Sequence, residues 1–415
     1  MRQIGDTTQG PRSTTEATAR TIEGGLAYLA DVARRLAPDF ARSESRQRAS
    51  AYLQGLLRSA ERKHRWPMAA ICGEPTPYGF QYWLNRADWD ADAVRDALRT
   101  YVSQPLGDPH GVLVLDETGF GKTGCHSAGV ARQYTGTVGK GENCQIGVFL
   151  GSAGQLGQAL LDRERYLPPE WTTDRARCRQ AGLPDERGFV TKPQLAQHLL
   201  ARAFGAGVPA TWVTGDRVDG DDRRLRVWLE AQPQASGLAV SGKAYVWLGW
   251  QQRQGKTILA ALPADGWTRL SAGHGAKGPR WDDWRWLPLA DPVDPQWRRW
   301  LLVRRSVSTP QELQAYAVFA PLDTAVEAVV RVAGTRWTIA QLLEAAKGEV
   351  GLDQYEVRSW TGWSRHITLA MWALALLTML RAGAIAVEAF QKSRPPPPEA
   401  SPLAAFKAQR GLASR

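Results

Sequence analysis

Apolar positions along this chain change their period three times. From Ile22 to about Val102 they recur every three to four residues, with Leu26, Leu29, Val32 and Leu36 in one series and Tyr52, Leu53, Leu56 and Leu57 in another. That spacing predicts amphipathic helices. At Gly111 the period shortens. The run GVLVLD ending in Asp116, the segment VARQYTGTVGKGEN, the run CQIGVFLGSA and the run ATWVTGD ending in Asp216 predict strands and a turn. DRRLRVWLEA then reads as an amphipathic helix, and residues 237 to about 322 hold short strand-like runs: GLAVS, YVWLGW, TILAALP, RWLLVRRS and YAVFAPL. From Ala325 to Phe390 helical spacing returns. The order predicts an α/β fold with a β-rich insertion rather than a doubly wound nucleotide binder. Its expected divisions are a helical domain at 22–105, a first core segment at 106–236, the insertion at 237–322 and a helical core segment at 323–390. Residues 1–21 and 391–415 read as loose tails, the second carrying RPPPPE.

Composition adds a partner. The chain has 415 residues, 43% hydrophobic and 22% charged, enough for one large core with satellites. Its net charge of +11 favours a polyanion, since Lys and Arg contacts to phosphate supply most non-specific nucleic-acid affinity. Arg42, Arg46, Arg48, Arg58, Arg62, Lys63, His64 and Arg65 fall on or between the first helices, as a DNA reader or an ordinary solvated face would have them. Four cysteines without a CxxC pair argue against a zinc site and suit a reducing cytosol. The first residues lack the apolar core of a signal peptide, and the apolar run from Ile367 to Leu380 is short for a bilayer, so a buried helix and a cytoplasmic protein are expected.

Two carboxylates carry the candidate chemistry. GFGKTG at 119–124 imitates a phosphate-binding loop, but the glycine such a loop needs five residues before its second glycine is Asp116. Asp116 and Asp216 instead each close an apolar run. A lone aspartate there is more often a cap or turn residue. Two of them in a basic protein suit metal-assisted phosphoryl transfer, which needs hard oxygen ligands on rigid elements.

At these residues the chain resembles a known family. VLDETGFGKTGCHSAGVARQYTGTVGKGENCQIGVFL is similar to the first catalytic block of bacterial insertion-sequence DDE transposases, WVTGDRVDG to their second, and GTRWTIAQLLEAAKGEVGLDQYEVRSWTGWSRHITLAMWALA to their third with the helix that follows. The resemblance runs from about Tyr52 to Leu380. It implies a ribonuclease-H-like catalytic core that cuts and rejoins transposon ends. It implies that Asp116 and Asp216 bind two divalent cations, usually magnesium, with manganese able to substitute. It also implies double-stranded DNA as partner and a homodimer that brings two ends together, with the strand-rich insertion often holding DNA near the cut.

The third block departs from the family pattern, Tyr-x2-Arg-x3-Glu-x6-Lys on one helix. Arg336 and Lys347 match the Arg and the Lys, but Ala333 stands at the Tyr and Ala340 at the Glu. At 100° per residue Arg336, Ala340, Glu344 and Lys347 share one stripe, with Ile339, Leu342, Leu343 and Ala346 in the sector expected to face the core. Three accounts fit Ala340: an engineered Glu-to-Ala change, natural decay into a DNA-binding protein, or substitution by Glu344, whose Cα lies about 6 Å further along the axis. Around the site, Arg132, Lys140, Arg336, Lys347, Arg358 and Arg365 are candidate DNA contacts. In the insertion, Arg298 and Arg299 with Trp297 and Trp300 could grip phosphates and stack on an exposed base, or simply pack a small β-layer. A non-catalytic DNA-binding descendant and a metal-dependent nuclease remain the alternative functions.

Overall fold

A computed structural model describes residues 25–58, 62–136, 139–248, 251–275, 278–289 and 295–393. The chain divides into two units, Ala27–Thr378 and a second made of Met1–Leu26 with Met379–Arg415. Of the second unit only the helical residues 25–26 and 379–393 are described, and the expected tails at 1–21 and beyond 393 lie outside the described residues. The first helices are α1 (25–36), α2 (Ser43–Leu57), α3 (Arg65–Ile71), α4 (Tyr78–Asn85) and α5 (Ala91–Leu106). There follow β1 (Val112–Gly121), β2 (Ala131–Thr135), β3 (Lys140–Gly154), β4 (Gly157–Tyr166), α6 (Pro169–Thr173), α7 (Arg175–Gln180), α8 (Lys192–Gly205), β5 (Trp212–Gly215), α9 (Arg217–Asp221), α10 (Arg223–Ala231) and β6 (Ala235–Val240). The chain goes on through β7 (Tyr245–Leu248), β8 (Gln251–Gln254), α11 (Gly255–Ala260), β9 (Thr268–Gly275), β10 (Gly278–Pro288), β11 (Trp297–Ser306) and β12 (Leu313–Pro321) to α12 (Val326–Val350) and α13 (Trp360–Ser393).

One large mixed sheet organises these elements. Its order is β2-β3-β1-β5-β6-β12-β11-β10-β9, with β4 also paired to β3. Within it β3 runs antiparallel to β1 and β4, while β5 runs parallel to β1 and β6. The run β4-β3-β1-β5-β6, with helices between β4 and β5 and between β5 and β6, is consistent with a ribonuclease-H-like core. β6 crosses the boundary expected at 236/237 and pairs with β12 from Ala315↔Val240 to Phe319↔Ser236, so the strands of residues 268–321 extend the core sheet.

Three local readings change. β1 does not stop at Asp116. It continues to Gly121 because β3 supplies a partner as far as Cys144. TILAALP forms the short helix α11 rather than a strand, and its Ile258 packs with Val240, Val246, Leu301 and Val303. Short apolar runs do not distinguish the two by period. Finally, GQALLDRERY is a strand, β4, whose Asp162, Arg163, Glu164 and Arg165 are all buried. Asp162 is ringed by Arg202 at 2.8 Å, Arg95 at 3.4 Å and Arg99 at 3.4 Å, which is how a charged strand edge can lie inside.

Strand alternation gives the sheet two faces. On one, α12 crosses the strands: Gly151 of β3 lies under Ile339, and Gly237 of β6 under Val332. On the other, α8 pairs Arg202 with Asp162 and Glu164 of β4. Ile339, Leu342, Leu343 and Ala346 are buried, as the helical stripe predicts. Helix α13 is long and apolar enough over Trp360–Ala384 to cross a membrane, but 61% of that window is buried inside the protein. Within Ala27–Thr378 the N-terminal helices pack on this helix: Trp372 donates to the Val94 carbonyl at 2.9 Å, and Tyr52 bonds His366 Nδ1 at 2.8 Å. Several basic residues of the first helices are used in this packing. Lys63 is buried against the Leu56 and Glu349 carbonyls, Arg46 donates to the Phe40 carbonyl and Arg58 to that of Ile71.

Two predictions follow from the packing. Burial pushes His366 down to about 4 from 6.5, so the unfolded chain takes up the proton first. Its contribution is complete above pH 6.5 and is lost as pH falls toward 4, by about 3 kcal/mol at most. His366→Gln should lower stability at pH 7 yet flatten the fall between pH 7 and pH 5, read from urea midpoints; an equally steep fall would refute the assignment. The second concerns Gly334 of α12, where an added Cβ would sit 1.9 Å from the Ala272 carbonyl oxygen of β9. Gly334→Ala should cost about 1–3 kcal/mol by the same measurement, because backbone rather than a flexible side chain blocks the methyl.

Candidate active site

The parallel register of β1 and β5 builds the site. Their last pair is Val114↔Thr214, and both chains continue two residues to an aspartate on the same face. Asp116 and Asp216 therefore fall side by side where parallel pairing ends. Asp216 is the N-cap of α9, its Oδ1 accepting from the Val218 amide at 2.8 Å. Aspartate suits that position because its short carboxylate reaches the helix's unpaired amides. Asp116 Oδ1 accepts from the Glu117 amide at 2.9 Å. Each carboxylate thus keeps one oxygen outside these bonds.

Burial, and then the neighbouring Asp216 charge, push Asp116 up to about 7. Helix α12 answers with cations. Arg336 acts on Asp116 from one side, and Lys347 lies within the field of Asp116 while donating to the Gly119 carbonyl at 3.0 Å. Two further carboxylates, which sequence reasoning missed, stand close by. Asp219, one turn into α9, is buried and held well above the carboxylate range by burial and then by Asp216. Glu117, on the opposite face of β1, pairs with Lys192 of α8 at 2.7 Å. The only signal for them was position, next to Asp116 and one helical turn after Asp216.

The paired carboxylates suit a hard divalent cation, which would offset the repulsion that raises Asp116. The ligand set is incomplete. Ala340 lies exposed on the stripe between Arg336 and Lys347, where it offers only a methyl group. Among the described residues no three Asp, Glu, His or Cys side chains gather as a metal group. Glu344, one turn beyond Ala340 on the same stripe, is exposed.

Other candidates divide. Arg132, Lys140 and Arg358 are exposed, the first two on the β2–β3 hairpin that runs past the end of β1. Arg365 does not face DNA: it is buried and donates to the Trp83, Leu84 and Trp89 carbonyls, tying α13 to α4 and the loop after it. The aromatic–basic group of the insertion lies at the other end of β11 from Asp216. Trp300 is buried and stacked on Trp286 at 4.8 Å, and Trp297 is stacked on Phe319 at 4.8 Å. Arg299 is held by both oxygens of Glu230. Packing therefore claims Trp297, Arg299 and Trp300, and Arg298 remains half-buried beside them.

A mixed sheet with two aspartates in register and a cationic helix across them suits metal-assisted chemistry at a phosphodiester. Residues 35–285 match the family described as DDE superfamily endonuclease, and the chain belongs to that family. It is 30% identical over 172 residues to the probable transposase for insertion sequence element IS701 of Microchaete diplosiphon. That stretch is 40% of this chain and 41% of the relative, so less than half of each is matched. Members of such a family use divalent metal ions, and the carboxylates of Asp116 and Asp216 are hard oxygen donors of the kind such ions take.

The pairing has a stability consequence. Because the folded pKa of Asp116 lies near 7, above its ordinary 3.8, the ionised carboxylate destabilises the metal-free fold above pH 7, and this cost fades as pH falls from 7 toward 3.8. Asp116→Asn should raise metal-free stability at pH 8 on the order of 2 kcal/mol, with a smaller gain at pH 5. Equal melting temperatures for the two proteins at pH 8 would show that neither burial nor Asp216 strains the ionised carboxylate.

Proposed function

We propose that this protein is a cut-and-paste DNA transposase in ancestry and in substrate, binding transposon ends as a homodimer in the bacterial cytoplasm. The observation that carries the reading is the in-register Asp116–Asp216 pair beneath Arg336 and Lys347. Asp116 and Asp216 would hold magnesium, two ions in the complete family site, with manganese as substitute. Bound metal supplies Lewis-acid stabilisation of the attacking and leaving oxygens at a phosphodiester. The chain's own groups do the rest. Arg336 and Lys347 bring positive charge to the phosphate that must sit over two carboxylates. The Asp216 cap fixes one carboxylate by backbone amides, and Lys192 holds Glu117 apart from it. The N-terminal helices would contact DNA through basic side chains that packing leaves exposed, such as Arg42, Arg62 and Arg86. The β-rich extension at 237–322 would flank the cut.

Ala340 favours a second reading, a non-catalytic DNA-binding descendant. Without the third carboxylate, metal affinity and cleavage rate fall together. The two readings separate in one assay. A labelled duplex carrying a transposon end is incubated with Mg²⁺ or Mn²⁺ and either the protein or its Ala340→Glu variant. Cleavage at least about 100-fold faster in the Ala340→Glu protein is the expected outcome for an inactivated transposase, given that loss of a ligand-shell group costs about 10–100-fold or more. Tight end binding with no cleavage by either protein supports the binding descendant. Cutting that never joins a target indicates a nuclease, and absence of DNA binding by both proteins overturns the whole reading.

A further inference from the structure

The register that aligns the two aspartates continues into the strand extension. On the face that carries Asp116 and Asp216, β6 presents Ala239 beside Tyr316 of β12, and β12 presents Gln314 beside Arg304 of β11. Arg304 thus stands on the same face and at the same end of the sheet as Asp216. Three strand spacings separate them across the sheet, about 14 Å, and Arg304 lies two residues further along its strand than Leu302, the residue in the row of Asp216. Arg217, the residue after Asp216, reaches across the same row and donates to Gln314 Oε1 at 2.9 Å. Gln314 in turn donates to the Val240 carbonyl at 3.2 Å, so its acceptor oxygen is held toward Arg217.

Two guanidinium groups from two elements meet at Gln314: Arg217 at the start of α9 donates to it, and Arg304 of β11 is its cross-strand neighbour. With Arg336 of α12 and the carboxylate of Asp282, both also act on the buried phenol of Tyr316. That carboxylate is 3.9 Å from Arg304, too long for a hydrogen bond. Arg304 Nε is buried with no hydrogen-bond partner, and Arg336 makes no hydrogen bond or ion pair among the described residues. Like charges gathered with unused donors are costly unless an anion joins them.

We infer that Arg217 and Arg304, which flank Gln314 beside Tyr316, bind a backbone phosphate of the DNA strand beyond the one placed at Asp116 and Asp216. The inference rests on the DNA reading above and assigns its strand path: from the aspartates along the sheet face toward β11, reaching about four duplex steps from the cut at 3.4 Å per step. Arg304 is a positioning residue. It sets where the strand lies and leaves the reacting atoms to the aspartates.

The adjacent arginine supplies an internal control. Arg305 carries the same charge on the same strand but faces the other side of the sheet, where it pairs with Asp283 at 3.1 Å. Binding of an end duplex is measured across a salt series for the protein, Arg304→Ala, Arg304→Lys and Arg305→Ala. Arg304→Ala should weaken binding about tenfold and lower the slope of log affinity against log salt by about one. Arg304→Lys should keep the slope, and Arg305→Ala should leave both values unchanged. In parallel, single neutral methylphosphonates are walked along the strand in complex with the unmodified protein. One position a few nucleotides from the cut should weaken binding to the native protein while having no further effect on Arg304→Ala. Equal losses in Arg304→Ala and Arg305→Ala, or no phosphate whose neutralisation overlaps with Arg304→Ala, overturn the inference even while the protein binds DNA. A native protein that binds no DNA fails the broader reading instead.

Discussion

Because Val114 of β1 lies beside Thr214 of β5, the next residues on that face, Asp116 and Asp216, must also lie side by side. The proposed chemistry depends on holding those two carboxylates together, an arrangement that like charges oppose. β3 pairs along the whole of β1, so the strand cannot splay to separate them. On the other side β6 pairs along the whole of β5, and the α9 cap draws Asp216 to two backbone amides. Helix α12 then crosses the same face with Arg336 and Lys347, fixed in place by the close approach of its Gly334 to β9. The strain is visible in Asp116, pushed up to about 7 by burial and by its partner. A fold that keeps such a pair is organised around a cation or a proton to neutralise it.

The strand extension takes part in this arrangement as well. It grows from β6 in the same sheet, so the catalytic face has no edge at that point, and residues from β11 and β12 stand in line with the aspartates. The far side of the sheet uses charge differently. There Asp162 and Glu164 of β4 are neutralised by arginines of α5 and α8, which adds ion pairs to the apolar contacts, such as Tyr101 against Trp372, that join α5 to the core. Such pairs hold position at the cost of desolvation, and removing one partner would leave the other stranded.

Ala333 and Ala340 mark where this chain parts from the family pattern. The helix that should carry the third carboxylate is intact, its core-facing residues are buried, and its flanking cations reach the site. What is absent is the phenol expected at 333 and the carboxylate expected at 340. Ala340 is exposed on α12 and contributes little packing, so the helix forms without that carboxylate. The DDE-family architecture and the completeness of its active site are therefore separate properties of this protein.

Local patterning was enough to outline the succession of helical and strand-rich stretches, the two aspartates, the Arg336–Ala340–Lys347 stripe and the family resemblance, because each is written in spacing along a single element. It could not see β4, whose charged residues contradict the apolar signature of a buried strand until arginines from distant helices are placed around them. Nor could it separate α11 from a strand in so short a run. It left Trp297 and Trp300 open between DNA contact and packing and offered Arg365 as a DNA contact, whereas the stacking of Trp297 on Phe319 and of Trp300 on Trp286, and the burial of Arg365 against the Trp83 carbonyl, engage them in packing. Asp219, Lys192 and Arg304 acquire meaning only through register and long-range pairing. Which charged side chain meets solvent, metal or another charge is decided by what the rest of the chain brings against it, and that is a property of the tertiary structure.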